Sequence, residues 1–274
     1  MNKQYFFYWC GFFDPHHEQE SERSLQEKND MGMTTGWATK LRRFVEARLS
    51  PEGELGLHMT VGVALMLVAI VVFHEIAEAV MGMAQITVID LQVAQWFNQH
   101  AVPWITRCLL VVTHLHGVLG AITLATLLGW YLHRKGATYW LLTLVITMPG
   151  VMFLNLLLKY IFVRARPSFD EPILQTALST YSFPSGHTAT STALYGLLAA
   201  YLICQTAPGA WGKRIAIALG AFLMASLVGF SRIYLGAHYL SDVLAAMAES
   251  YGWLAICIAG VSTLRRRRHI RQTK

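Results

Sequence analysis

Charge is scarce in this sequence: Asp, Glu, Lys and Arg make up 14% of 274 residues and hydrophobic residues 54%, where a soluble domain carries about 25% charged residues. That deficit excludes an ordinary soluble domain and marks an integral membrane protein. Cysteine is scarce too. The four present (Cys10, Cys108, Cys204, Cys257) are scattered without a C-x-x-C pair, three of them inside or beside apolar stretches. This excludes a disulfide framework and a thiolate metal site. No cleavable signal peptide is expected, since the first long apolar stretch begins only near His58. The net charge of +6 does not point to nucleic acid, because the basic residues lie at the edges of apolar segments, where they set membrane topology.

What the sequence has in quantity is long apolar runs. Six spans long enough for ~30 Å of hydrocarbon are predicted near 57–80, 109–132, 139–160, 187–204, 214–231 and 240–262. The fold class is therefore all-α, an integral membrane bundle of six transmembrane helices. Pro149 and Gly150 fall inside the third span, which is tolerable where neighbouring helices satisfy the freed backbone. An even number of spans puts both termini on one face. That face carries 17 of the 22 Lys and Arg, from the N-terminal segment, the Arg134–Lys135 turn, Lys213–Arg214 and the tail from Arg265. It should be cytoplasmic.

Three parts follow: a polar cytoplasmic segment 1–54, a six-span domain 55–264 and a basic cytoplasmic tail 265–274. In the first, the aromatic run Tyr5 to Phe13 is too short to span a bilayer, and Met31 and Met33 are alternative starts. Residues 38–48 fit either a basic helix on the inner membrane surface or a solvated segment. Between the first two spans, Ile86 to His100 has helix-like amphipathic spacing. It would lie on the outer leaflet, either as a cap over a lipid entrance or as a plain connecting helix.

Three polar clusters interrupt the apolar sequence: K-Y-I-F-V-R-A-R-P at 159–167, P-S-G-H at 184–187 and S-R-I-Y-L-G-A-H-Y-L-S-D at 231–242. The span model puts all three on the outer face. They hold the cations Lys159, Arg166 and Arg232, the histidines His187 and His238, the hydroxyl of Ser185 and the carboxylate of Asp242. Phosphoryl transfer spreads charge over equatorial oxygens, so a protein must supply fixed positive charge and directed N–H donors. The clusters supply both. Arginine clamps two oxygens through its planar fork and lysine acts as a point charge. Ser185 and Gly186 precede an apolar helical run, where a cap, close backbone approach and free amides suit an anion. His238 and Asp242 are four apart and share a helix face, so the carboxylate can accept a hydrogen bond from Nδ1–H and leave Nε2 free.

The clusters meet every fixed position of K-x6-R-P, P-S-G-H and S-R-x5-H-x3-D, and so the chain resembles the type 2 phosphatidic acid phosphatase superfamily. The resemblance implies that Lys159, Arg166, Arg232, Ser185 and the amides of Gly186 and His187 bind phosphate. It implies that His238 is the nucleophile, forming a phosphohistidine with Asp242 orienting it, and that His187 is the general acid and then the base. No metal or other cofactor is expected, since three basic side chains do the work of Mg²⁺ and no carboxylate cluster suited to it is present.

Arg164 lies outside the pattern and reads as a membrane-edge anchor, His114 and His116 as edge residues, and Glu249 as paired within the bundle. Glu75 and Glu78 are placed at the outer interface. The function expected is hydrolysis of a lipid phosphate or pyrophosphate on the periplasmic face of a bacterial inner membrane. Candidate substrates are undecaprenyl pyrophosphate, phosphatidylglycerophosphate, phosphatidic acid and lipid A phosphate. The alternatives are a lipid phosphotransferase at the same site and a non-catalytic lipid carrier.

Overall fold

The structure, a computed structural model, describes residues 57–174 and 180–273, so the expectations for residues 1–54 lie outside the described residues. Among those described, eight helices and no strand are found: α1 Leu57–Met81, α2 Gln85–Gln99, α3 Pro103–Leu115, α4 Val118–Arg134, α5 Thr138–Phe162, α6 Gly186–Cys204, α7 Trp211–Tyr234 and α8 Leu240–Thr273. The all-helical expectation holds. The span count is coarser than expected: α1, α5, α7 and α8 each contain a segment long and apolar enough to cross a membrane, and α3 with α4 makes a fifth if the pair is one bent span.

Two departures from the expected spans have physical causes. The span expected at 109–132 is broken between Leu115 and Val118, with a 59° bend. Gly117 adopts an extended conformation there, and the His116 and Gly117 amides close the last turn of α3 on Thr113 and His114. A Cβ added at Gly120 would lie 2.1 Å from the Leu115 carbonyl oxygen; the bend requires glycine at that position. The span expected at 187–204 is α6, whose T-A-T-S-T stretch keeps it out of the apolar set. It packs against α5, α7 and α8, and Thr188, Ser191 and Thr192 are buried. A helix enclosed by protein does not need hydrocarbon-compatible side chains.

The core joins α5, α6 and α8, with Trp140, Leu144 and Val151 facing Ala189, Ala193, Leu197, Ala246 and Leu254. Small residues let the backbones approach closely, as is usual between membrane helices. At Gly150 an added Cβ would meet the Trp253 ring at 2.3 Å, and the same indole donates to the Thr147 carbonyl at 3.2 Å. A neighbouring helix thus serves the backbone beside Pro149. In contrast, α1 packs on α8 but keeps most of its apolar surface, including Leu65, Val68 and Val71, exposed.

At one end of the bundle, cations lie over aromatic rings: Arg134 over Trp130, Lys135 over Tyr131, Arg214 over Trp211 and Arg265 over Tyr139, at 5.4 to 5.8 Å. Such pairs suit a membrane–water boundary. These pairs come from the end of α4, the starts of α5 and α7 and the later part of α8, whereas the three motif clusters come from the end of α5, the start of α6, the end of α7 and the start of α8, so the clusters lie at the other end.

Candidate active site

Local geometry delivers the clusters to one place. Helix α5 stops because Val163 turns left-handed (φ 47°), its N–H bonding Lys159 O at 3.0 Å; the chain then continues extended toward Pro167. Helix α7 stops at Tyr234, and the amides of Ala237 and His238 both donate to the Arg232 carbonyl, at 3.0 and 3.2 Å. That turn, with Gly236 at φ +69°, fixes His238 relative to Arg232. The Ser185 amide donates to the Asp242 carbonyl at 3.1 Å, joining the start of α6 to the start of α8.

His238 is buried, with Nδ1 3.3 Å from Asp242 Oδ2 and Nε2 3.1 Å from Arg166 Nη1. A guanidinium can only donate. Nε2 must therefore be the unprotonated nitrogen, and the proton sits on Nδ1 facing Asp242. Burial pushes the imidazolium down to about 3 against the pull of Asp242, so the ring is neutral with its lone pair on Nε2. That is the protonation state a nucleophilic histidine needs.

Asp242 is fully buried and heavily bonded. Its Oδ2 accepts from the Tyr239 amide at 2.9 Å and from Ser182 Oγ. Its Oδ1 accepts from Arg164 Nη1 at 2.6 Å. Arg164, read from sequence as a membrane-edge anchor, is instead a partly buried bridge between two carboxylates. Its other fork nitrogen donates to Asp90 Oδ2 at 2.8 Å, and its guanidinium lies 4.3 Å from the centre of the Tyr239 ring. From sequence it reads as an edge anchor because it falls outside the motif; a charge that finds two carboxylates has no reason to reach for headgroups.

Lys159 was expected to meet phosphate. Its ammonium, also buried, donates to the carbonyls of Tyr181, Ser182 and Pro184 at 2.7, 3.2 and 2.6 Å. Three donors are thereby spent on the loop that delivers Ser182 and Ser185, and its charge acts through that loop.

Arg166 donates to the carbonyls of Thr180 and Ala237, at 2.7 and 2.8 Å, and to the Thr180 hydroxyl at 2.9 Å. Burial lowers its pKa, opposed by Asp242. Arg232 is buried, bonds Thr113 Oγ1 through Nη1, and leaves Nε without a partner. An unpaired buried donor on a cation is a place for an anion.

Ser185 occupies the cap position of α6, yet its side chain makes no cap; it accepts from Thr188 at 3.0 Å. The first amides of α6, from Gly186 and His187, thus meet no side-chain cap. His187 is half-buried and faces the α3–α4 break, since a Cβ at Gly117 would lie 3.8 Å from its Nε2.

Several residues of this site were not singled out by sequence. Asp90, Ser182 and Thr113 touch its charged groups, and His116, read as an edge residue, is buried and bonded to Tyr195 Oη at 2.7 Å and the Val112 carbonyl at 2.8 Å. The signal for Asp90 was present: it is the one charged residue in Gln85–Gln99. Glu249 does pair within the bundle, with Asn155 at 3.2 Å, and Glu78 forms an exposed pair with His74. Among the described residues, no three His, Cys, Asp or Glu side chains group as a metal site.

Comparison with known proteins identifies relatives of the chain. The sequence model of the PAP2 superfamily matches residues 138–266. The chain is 31% identical over 144 residues to phosphatidylglycerophosphatase B of Bacillus subtilis, covering 52% of this chain and 68% of that one. It is 34% identical over 116 residues to an undecaprenyl-diphosphatase of Sulfolobus acidocaldarius, covering 41% and 48%. Among solved structures, the transmembrane PAP2 type phosphatidylglycerolphosphate phosphatase from Bacillus subtilis superposes with a TM-score of 0.62 and 25% identity, over 73% of this chain and 96% of that one.

Proposed function

The chain belongs to the PAP2 superfamily, and from that premise we propose that it is a membrane phosphatase hydrolysing a lipid phosphate or pyrophosphate through a phosphohistidine on His238. The observation that carries the reading is the tautomer: Arg166 donates to Nε2 and Asp242 faces Nδ1, so the free lone pair points where Arg166 also points.

In this mechanism the phosphate enters among Arg166, the unpaired Nε of Arg232 and the first amides of α6, displacing Arg166 from His238. Nε2 attacks phosphorus in line with the leaving oxygen. The P–O bond breaks, and His187, which must take up a proton alongside the phosphate dianion as it binds, gives that proton from its imidazolium to the leaving oxygen. His187 then takes a proton from water, which attacks the phosphohistidine and releases phosphate and neutral His238. Asp242 stays ionised throughout and balances the charge on the imidazole. Arginines supply the positive charge, so the chemistry proceeds without a metal.

The six-span arrangement completes the proposal: α6 is the remaining span, both termini and the cation-over-ring end are cytoplasmic, and the site faces the periplasm of a bacterial inner membrane. Six-span and tail boundaries are those given above, 55–264 and 265–274. The names of the relatives, phosphatidylglycerophosphatase B and undecaprenyl-diphosphatase, support a substrate among lipids of the same chemistry.

The test is phosphate release by purified protein in detergent with EDTA, across phosphatidylglycerophosphate, undecaprenyl pyrophosphate, phosphatidic acid and lipid A phosphate, beside His238→Ala. Release by wild type alone supports the reading, and the relative rates name the lipid. Release that needs a metal, or persists in the variant, overturns it.

A further inference from the structure

Asp90 lies on α2, outside the segment that matches the superfamily, yet its carboxylate is fully buried. Oδ1 accepts from the Ser241 amide at 2.9 Å, and Oδ2 accepts from Arg164 at 2.8 Å and from Ser241 Oγ. Arg164 spans the gap to Asp242, one fork nitrogen on each carboxylate. We infer that the Asp90–Arg164 pair is a positioning clamp, which holds Asp242 in the orientation that sets the tautomer of His238 and keeps Asp242 from capturing the arginines meant for phosphate. The inference rests on His238 being the nucleophile.

Charge and geometry carry it. Asp242 must stay ionised while fully buried, and an unpaired buried carboxylate is very costly. The charged groups facing it are Arg164 and Arg166 from the loop after α5, Lys159 from α5, His238 from the turn before α8, and Asp90 behind Arg164. Lys159 has spent its donors on carbonyls. Without Arg164, the free Oδ1 would turn toward Arg166, 3.1 Å from His238. With Arg164 in place, Arg166 and Arg232 remain for the substrate.

Asp90 has a separate task. A guanidinium bound to Asp242 alone could swing into the phosphate site; Asp90, fixed by Ser241 at the first turn of α8, fastens its second nitrogen. The fork fits this task because Nη1 and Nη2 reach different partners in one plane, and a lysine cannot serve both. The Tyr239 ring covers the guanidinium face. Thus α2, the amphipathic helix between the first two spans, is joined to the nucleophile through two ion pairs.

The experiment uses full-length protein in detergent with radiolabelled phosphatidic acid, following the pre-steady-state burst of acid-labile phosphoenzyme by rapid quench. Arg164→Gln is expected to slow the burst by about 10²-fold at saturating substrate, and Asp90→Asn by about tenfold, each with burst amplitude per folded protein retained. Arg164→Lys should recover little. The double variant should be faster than Arg164→Gln alone, because it no longer buries Asp90 unpaired.

A purely structural pair would instead reduce folded protein and amplitude while leaving the burst rate intact, and that result overturns the clamp. So does a double variant slower than Arg164→Gln. If Arg164→Gln does not accumulate, the near-isosteric Asp90→Asn decides: a burst within twofold of wild type sinks the inference. A wild type with no burst sinks the phosphohistidine reading itself, and a wild-type burst with normal variants sinks only the clamp.

Discussion

Replacing Lys159 by Met separates two roles that a basic residue in this position can have. The methionine keeps the unbranched stem and removes only the ammonium, so the packing of α5 is disturbed little. Three carbonyls, of Tyr181, Ser182 and Pro184, then lose their donor. Charge-assisted hydrogen bonds contribute about 1.5–3 kcal/mol each. Relieving the burial of the ammonium offsets part of this sum, so the net cost is about 3 kcal/mol. In a chain of this size, 1 kcal/mol moves Tm by roughly 2–4 °C, which gives a drop of roughly 6–12 °C.

Activity should fall as well, by about 10²-fold in kcat, because Ser182 and Ser185 ride on the released loop and Ser182 bonds Asp242. The assay is thermal unfolding in detergent by tryptophan fluorescence, paired with steady-state kinetics and inhibition by orthovanadate. If Lys159 were a direct phosphate ligand and nothing more, Tm would hold and vanadate affinity would carry the whole loss. An unchanged Tm in Lys159→Met with vanadate inhibition weakened 10²-fold would refute the reasoning.

Three further outcomes are expected. Because burial holds His238 neutral down to about pH 3, ¹⁵N-histidine NMR of the unliganded protein should show the Nδ1–H tautomer unchanged from pH 8 to 5. An unfolded histidine titrates near 6.5, so the unfolded state binds more protons below that value and this residue's contribution to stability should diminish as pH falls from 6.5 toward 3; an imidazolium signal appearing near pH 6.5 in folded protein would contradict both. Arg232→Gln should weaken orthovanadate inhibition by roughly 10²-fold, about 2–3 kcal/mol, while Thr113→Val should weaken it less than tenfold; equal losses would mean that Thr113 is the anion contact. Gly120→Ala forces a Cβ to 2.1 Å from the Leu115 carbonyl oxygen, so the α3–α4 bend must open, at about 1–3 kcal/mol, and KM should rise as Thr113 leaves Arg232. A variant with wild-type Tm and KM would show that the bend is not needed.

The residues proposed to carry the chemistry were named from sequence because the three clusters resemble the superfamily's motifs; spacing added that His238 and Asp242 lie four apart across a helix start and that P-S-G-H precedes an apolar run. What spacing does not report is where a charge finds its partner. Arg164 has Val163 and Ala165 on either side, and only the fold shows that Asp90, 74 residues earlier, waits for it. Lys159 fitted the pattern for a phosphate ligand, yet its nearest acceptors are carbonyls of a loop that no sequence rule would place beneath it. The break in the 109–132 span was hidden for a simpler reason: hydropathy averages over a window, and a bend leaves the average unchanged. Low hydropathy in α6 reflects its enclosure, a property of its neighbours.

The cations that sit over rings at the far end of the bundle also act as a ruler. Four helices carry such a cation or ring there, and on α8 the stretch from Leu240 to Arg265 measures roughly 39 Å at 1.5 Å per residue, more than a ~30 Å hydrocarbon layer. On the six-span proposal, the level of His238 relative to the opposite leaflet is set by helix length and not by the lipid being cut. In a thinner bilayer the site would stand proud of the acyl boundary, and a long-chain substrate would have to rise to meet it. In a thicker one the site would sink below that boundary, among the acyl chains. On that proposal, bilayer thickness would alter turnover without touching any residue of the site.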